Sequence, residues 1–194
     1  MRITHGNLLL RTVGLEDLEQ LRIWRNSEDV NHYLINRPKI TAKAQQEWFD
    51  NLDPASSIYF LIIVDGKKAG LAYANNIDEA QRNFEGNIFI GDVTFSDSFV
   101  PVKSALLLTI FFFDKLRFIS TYSTVHQDNF KALDLDRKLG FIELKRTPPF
   151  IVSKCINEHF FSVTNTLIKA LLRDINMQIT IEPGDTKYPF IHNK

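Results

Sequence analysis

Hydrophobic positions along the chain form short runs of strand length, interleaved with stretches of helical spacing. Leu8-Leu9-Leu10 ends at Arg11 and predicts a strand; Leu15, Leu18, Leu21 and Trp24 then recur at helical spacing, with Glu16 and Asp17 in the first turn. Asn26-Ser27 breaks that helix, Pro38 punctuates the loop that follows, and Thr41 predicts the cap of a second helix carrying Trp48, Phe49 and Leu52. Ile58–Val64 and Lys68–Ile77 read as antiparallel strands joined at the turn dipeptide Asp65-Gly66. Phe84–Phe95 supplies a third strand, with Phe84, Gly86, Ile88 and Ile90 on one face and Gly91 marking a bulge or a close backbone approach. The segment from Ser104 is apolar all round, which predicts a buried helix ending near Lys115. Ile119–Val125 predicts a strand, and Asn129 opens a helix with Phe130, Leu133 and Leu135 that stops at Gly140. Strands over Phe141–Lys145 and Glu158–Thr164, a last helix over Leu167–Asn176 and an irregular tail complete the prediction.

Hairpins early and a strand-helix-strand unit late predict an α+β fold, a mixed sheet with helices on its faces. One domain over residues 1–164 is expected, with residues 165–194 as a helix and tail packing on that domain or on a partner subunit in a homodimer. The 23 basic and 23 acidic side chains balance, which disfavours nucleic acid as a partner. Sixteen phenylalanines point to a phenylalanine-filled core. A single cysteine, Cys155, excludes an intrachain disulfide and a cysteine-based metal cluster, and the longest apolar run, Ala105–Phe113, is too short to cross a bilayer. A cytoplasmic protein with no metal and no membrane partner is the expectation.

Asp128-Asn129-Phe130-Lys131-Ala132 followed by Arg137-Lys138-Leu139-Gly140-Phe141 resembles the closing motif of the GNAT superfamily of N-acetyltransferases. Trp24-Arg25-Asn26, Val30 and Trp48-Phe49 with Leu52 add a resemblance to the branch holding ribosomal-protein and nucleotide-sugar N-acetyltransferases, above all the amino-sugar enzymes of pseudaminic acid biosynthesis. The resemblance spans about Leu8 to Thr164. It implies acetyl-CoA in a wedge between two splayed parallel strands, one ending near Ile90-Gly91 and the other near Val125. Backbone groups at a strand bulge would hold the pantetheine arm, the N-terminus of the next helix would hold the pyrophosphate, and Asn129 would complete the cofactor site.

Two positions depart from that family. The loop before Ala105 is Ser98-Phe99-Val100-Pro101-Val102-Lys103-Ser104, without glycine, and Pro101 has no N–H. Helix-end donors at Val102, Lys103 and Ser104 and the Lys103 ammonium are the expected substitutes; the alternative is a buried helix with a solvated lysine. Asp136 stands where the family often has a tyrosine that protonates the departing thiolate. A carboxyl kept neutral by burial can do the same, whereas a surface Asp136 paired with Arg137 or Lys138 cannot.

Glu85, on the strand leading to the wedge, is the candidate general base for the attacking amine, set against an exposed strand position. On the acceptor side, Arg25 is expected to hold a phosphate and Trp48 to stack on a base or sugar, with salt bridging and core packing as their alternatives. Gln45 stands where the amino-sugar branch often has a histidine. His126 is a lesser proton-relay candidate, and Cys155 is not expected to be a nucleophile. The expected activity is acetyl transfer from acetyl-CoA to a primary amine, that of a nucleotide-linked amino sugar first. A protein N-terminus or small amine, and a degenerate scaffold without CoA chemistry, are the rivals.

Overall fold

A computed structural model describes residues 1–33, 38–173 and 175–192. Its centre is a nine-stranded sheet in the order β7-β8-β6-β5-β4-β3-β2-β1-β9. The strands are β1 (Arg2–His5), β2 (Leu8–Thr12), β3 (Ile58–Val64), β4 (Lys67–Asp78), β5 (Asn83–Ile90), β6 (Ser120–His126), β7 (Ile142–Thr147), β8 (Phe150–Ile156) and β9 (Gln178–Thr180). Every neighbouring pair is antiparallel except β5 and β6, which run parallel.

The two faces of the sheet follow from alternation along the strands. On β3, Ile58, Phe60, Ile62 and Val64 point into the larger core, while Leu61 joins Leu21, Trp24 and Leu71 on the opposite face. Helices α1 (Leu18–Asn26), α2 (Glu28–Asn31) and α3 (Ala42–Asp50) precede β3, and Leu21 and Trp24 of α1 cover that second face with Trp48 of α3 beside them. The larger core is covered by α4 (Val100–Ile110), α5 (Phe130–Lys138) and α6 (Asn157–Leu171), with Phe190 of the short α7 (Pro189–His192) buried among them. Thr41 caps α3 by accepting the Ala44 N–H, as predicted.

The phenylalanine load is core. Helix α4 passes into a π-helical turn, Phe111–Lys115, and Phe111, Phe112 and Phe113 are all buried. Phe84 of β5 stacks on Phe112 at 4.0 Å between ring centroids, and Phe160 of α6 meets Phe113 edge-on at 5.5 Å. These contacts fix β5 above α4.

The C-terminal third differs from the prediction. The expected strand Glu158–Thr164 is helical and continuous with the start of the expected last helix, which ends at Leu171 rather than Asn176; Asp174, within that stretch, lies outside the described residues. The run His159-Phe160-Phe161-Ser162-Val163 has strand-like composition, but Phe160, Thr164 and Ile168 are the buried positions, and their four-residue spacing is helical. The tail, expected to be irregular, contributes β9 on β1 and a 3-10 turn, Pro183–Lys187, whose buried Asp185 bonds the Met1 amino group. The third strand stops at Ile90, ahead of a 3-10 turn at Val93–Phe95.

Gly91 is where α1 closes on the sheet: a β-carbon there would lie 2.1 Å from Trp24 Cδ2. Gly91→Ala is therefore expected to displace the indole and cost about 1–3 kcal/mol, read as a lower urea midpoint with an unchanged slope.

Candidate active site

The parallel ladder between β5 and β6 is short. Asn83, Phe84 and Glu85 pair with Ser120, Thr121 and Tyr122, and there the pairing ends, although β5 continues to Ile90 and β6 to His126. Beyond Glu85 the backbone of β5 has no strand partner on its β6 side, so its N–H and C=O groups are available to an extended ligand. On its other side β5 stays in regular register with β4, from Glu85 opposite Asn75 to Ile90 opposite Gly70. Just past Ile90 the Gly91 and Asp92 N–H groups both donate to Ala69 O, at 2.9 and 3.1 Å, the two-on-one pairing of the bulge expected there; a second irregularity falls between Asn75 and Asp78 of β4, where Asn76 has φ 49°. That kink delivers Asn76 Nδ2 to Glu85 Oε2 at 2.9 Å, so the carboxylate of the candidate base is held by a donor. Ile90 turns its side chain to the larger core.

At the N-terminus of α4 most of the expected donors are already used. Ser98 Oγ accepts the Val100 N–H, Lys103 N–H donates to Phe99 O at 2.9 Å, and Pro101 has none to give. Val102 keeps the one helix-end N–H with no acceptor among the described residues, while its side chain packs on the core. Ser104 is the fifth residue of α4 and fully buried, so its N–H belongs to the helix ladder rather than to the free helix end where a donor was expected; its hydroxyl has no partner among the described residues. Lys103 lies in the first turn of α4, and Lys131 of α5 is paired with Asp97 at 2.6 Å, both partners largely exposed. Unpaired β5 backbone beyond Glu85 fits an extended arm such as pantetheine, and the α4 end offers the Val102 N–H and the Lys103 ammonium to a phosphate.

Asn129 caps α5, its side chain accepting the Ala132 N–H at 3.1 Å. Two helical turns further on, Asp136 faces inward. Arg137 and Lys138 both pair with Asp134, not with Asp136, which removes the surface ion pair weighed as its alternative. Asp136 Oδ2 accepts the hydroxyl of Ser123, a β6 residue just past the end of the parallel ladder. Burial pushes the Asp136 carboxyl up to about 6, against the opposing pull of the Ser123 hydroxyl. Cys155 is buried beneath, its thiol pushed up to about 12 by burial and by Asp136, and its Sγ donates to Leu139 O. It is no nucleophile. His126 Nδ1 accepts the Asp128 N–H at 3.3 Å, and its ring packs edge-on against Phe150.

Across the sheet, on the α1 and α3 face, is a cavity of about 160 Å³. Arg25, Gln45 and Trp48 all line it, together with Tyr59, Tyr73 and Asn75. The rings form a continuous aromatic wall: Trp48 meets Tyr59 edge-on at 4.9 Å and Tyr59 stacks on Tyr73 at 5.1 Å. Tyr59 donates its hydroxyl to Asn75 Oδ1 at 2.7 Å. Burial pushes the Tyr73 phenol up to about 12, so it stays protonated. Arg25 forms no ion pair among the described residues, and no carboxylate lines the cavity. Glu85 lies on the same face of β5 as the lining residue Phe89, beside Asn75.

The profile of the family described as Acetyltransferase (GNAT) domain matches residues 7–142. The chain belongs to the GNAT acetyltransferases. The spermidine N(1)-acetyltransferase of Escherichia coli (strain K12) is 28% identical over 133 residues, covering 68% of this chain and 71% of that protein. Among solved structures, apo FdhC, a nucleotide-linked sugar GNAT, superposes with a TM-score of 0.74 at 20% identity over 87% of this chain and 97% of its own. Spermidine N-acetyltransferase from Vibrio cholerae, in complex with CoA and spermine, gives 0.70 at 18% identity over 80% and 98%. The mixed, mostly antiparallel sheet with one parallel pair is the GNAT fold. Among the described residues of this GNAT acetyltransferase, no helix is long and apolar enough to cross a membrane.

Sequence reasoning missed Tyr59, Tyr73, Asn75 and Asn76. Tyr59 and Tyr73 stand opposite each other on β3 and β4 and alternate with core positions, so period-two alternation was the signal that could have placed them on the face of Trp48. Asp136 carries the testable consequence. Its folded value lies above the ordinary 3.8, so the unfolded chain loses this proton first; stability falls as pH rises from about 4 to about 6, and the loss persists above that. Asp136→Asn, which cannot ionise, is expected to gain about 2–3 kcal/mol over the parent at pH 7.5 and nothing at pH 4, as measured by denaturant melts at the two pH values.

Proposed function

We propose that this N-acetyltransferase acetylates the primary amine of a small acceptor that also carries an anion, a nucleotide-linked amino sugar, using acetyl-CoA. The observation that carries this is the Arg25 guanidinium, without an ion pair among the described residues, in a cavity lined by no carboxylate. A polyamine brings two or more positive charges. At ~6 Å and an effective dielectric near 20, one such charge against Arg25 costs about 3 kcal/mol, roughly a hundred-fold in affinity. A phosphate at the same place gains a charge-assisted, bidentate contact, and the aromatic wall of Trp48 and Tyr59 suits the apolar face of a sugar.

Acetyl-CoA, when bound, supplies the acetyl thioester. Glu85, held by Asn76, takes the proton that the attacking amine must lose, and the protonated form of Asp136, at the other side of the splayed strands, gives one to the departing CoA thiolate. The second reading is a polyamine acceptor. It draws on the Escherichia coli relative and on the spermine-bound Vibrio cholerae neighbour.

With acetyl-CoA saturating, a UDP-linked 4-amino sugar is expected to give kcat/KM at least about a hundred-fold above spermidine, by the same charge estimate. The reverse order would establish the polyamine reading, and no turnover with either would remove both. Isothermal titration of acetyl-CoA is expected to give one-to-one binding that Lys103→Ala weakens about two- to five-fold, the worth of one exposed ionic contact.

A further inference from the structure

Gln45 is 2% exposed, and neither Oε1 nor Nε2 of its side chain has a hydrogen-bond partner among the described residues. Buried amides are ordinarily satisfied, because an orphaned donor or acceptor keeps its full desolvation cost. The polar neighbours offer no relief. The Tyr59 hydroxyl is donated to Asn75 Oδ1 at 2.7 Å, not to Gln45. Ser104, the other buried side chain without a partner, lines no described cavity; Gln45 lines the one that holds Arg25.

We propose that Gln45 reads an amide-type edge on the acceptor, an N–H beside a C=O, with Oε1 accepting from the ligand N–H and Nε2 donating to the ligand carbonyl. This rests on the cavity being the acceptor site. A glutamine side chain presents one donor and one acceptor side by side in a plane, and a ligand edge of the same kind satisfies both at once. The surroundings suit a flat group: Tyr59 and Tyr73 stack within 15° of parallel, and Trp48 stands edge-on to Tyr59. A cavity of about 160 Å³ admits one such group, not a whole nucleotide. Arg25 then meets the anion attached to it. Two parts of a nucleotide-linked amino sugar carry this chemistry, an acylamino substituent on the sugar and the imide edge of a uracil base.

The test measures binding in the absence of acetyl-CoA, so its outcome is independent of whether the amine is acetylated. Calorimetry compares N-acetylglucosamine 1-phosphate with glucose 1-phosphate, and UMP with N3-methyl-UMP, which lacks the imide N–H. The wild type is expected to prefer the first member of one pair by at least about ten-fold, the range for a lost bidentate contact. Gln45→Met is expected to abolish that preference while leaving the unliganded protein with a higher Tm, since an orphaned amide has been removed. Preference within the sugar pair identifies the acylamino group, and within the nucleotide pair the base. The proposal is overturned if neither pair is discriminated, if Gln45→Met keeps the discrimination, or if Gln45→Met and Gln45→Leu both lower Tm, which would show the amide to be satisfied in the unliganded protein.

Discussion

Backbone N–H and C=O groups in the middle of a sheet have to find partners. The rest of this molecule is arranged around a place where they do not. Strands β5 and β6 share three paired positions and then part, although both continue and both are flanked on their outer sides by antiparallel neighbours. Such a split would tend to zip closed unless the covering layers held it. Phe84, inside the paired stretch, is stacked on Phe112 of the π-helical turn, which fixes the fork from beneath. Each face of the fork then has its own chemistry: Asp136 and Ser123 on the side of α5, and the aromatic cavity with Glu85 nearby on the side of α1 and α3.

Two kinds of buried or half-buried polar group separate cleanly in this fold. Asp17 is fully buried and belongs to the scaffold: burial pushes its carboxyl up, but the Gly14 N–H, Lys68 and Arg11 together hold it below the ordinary value. Every oxygen of that carboxylate is used. Among the described residues, Asp136, Gln45 and Arg25 are under-served by comparison, with a lone hydroxyl, no partner and no counter-ion respectively. Asp136 stands beside the fork, on the Ser123 hydroxyl, while Gln45 and Arg25 line the cavity over β3, β4 and β5.

Most of the architecture could be read from residue order. Ile58–Val64, the Asp65-Gly66 turn, the Thr41 and Asn129 caps and the stop at Gly140, which has φ 85°, all depend on local chemistry and stand where local chemistry puts them. What could not be read depends on distant partners. Strand β1 has only Ile3 as an apolar inward residue and exists because β2 and β9 lie on either side of it. Helix α6 defeats its own strand-like composition because the core accepts only every fourth residue. At the site, Arg25, Gln45 and Trp48 were legible as types of residue; that they converge on one cavity depends on the angle at which α1 and α3 cross the sheet. The glycine-free loop was legible as a departure, yet the capture of its amides by Ser98 and Phe99 is a matter of coordinates.

An open sheet of nine strands has two borders, and each is a template on which another chain could grow. Here one border is β9, only three residues long, which offers too little ladder for a visiting strand to grip. The other is β7, fully exposed and carrying Glu143, Lys145 and Arg146, so a second copy laid beside it would have to bring charges into register. The two borders are guarded by different means, brevity on one side and charge on the other. A molecule that leaves a fork open at the centre of its sheet is thereby kept from offering open ladders at its rims.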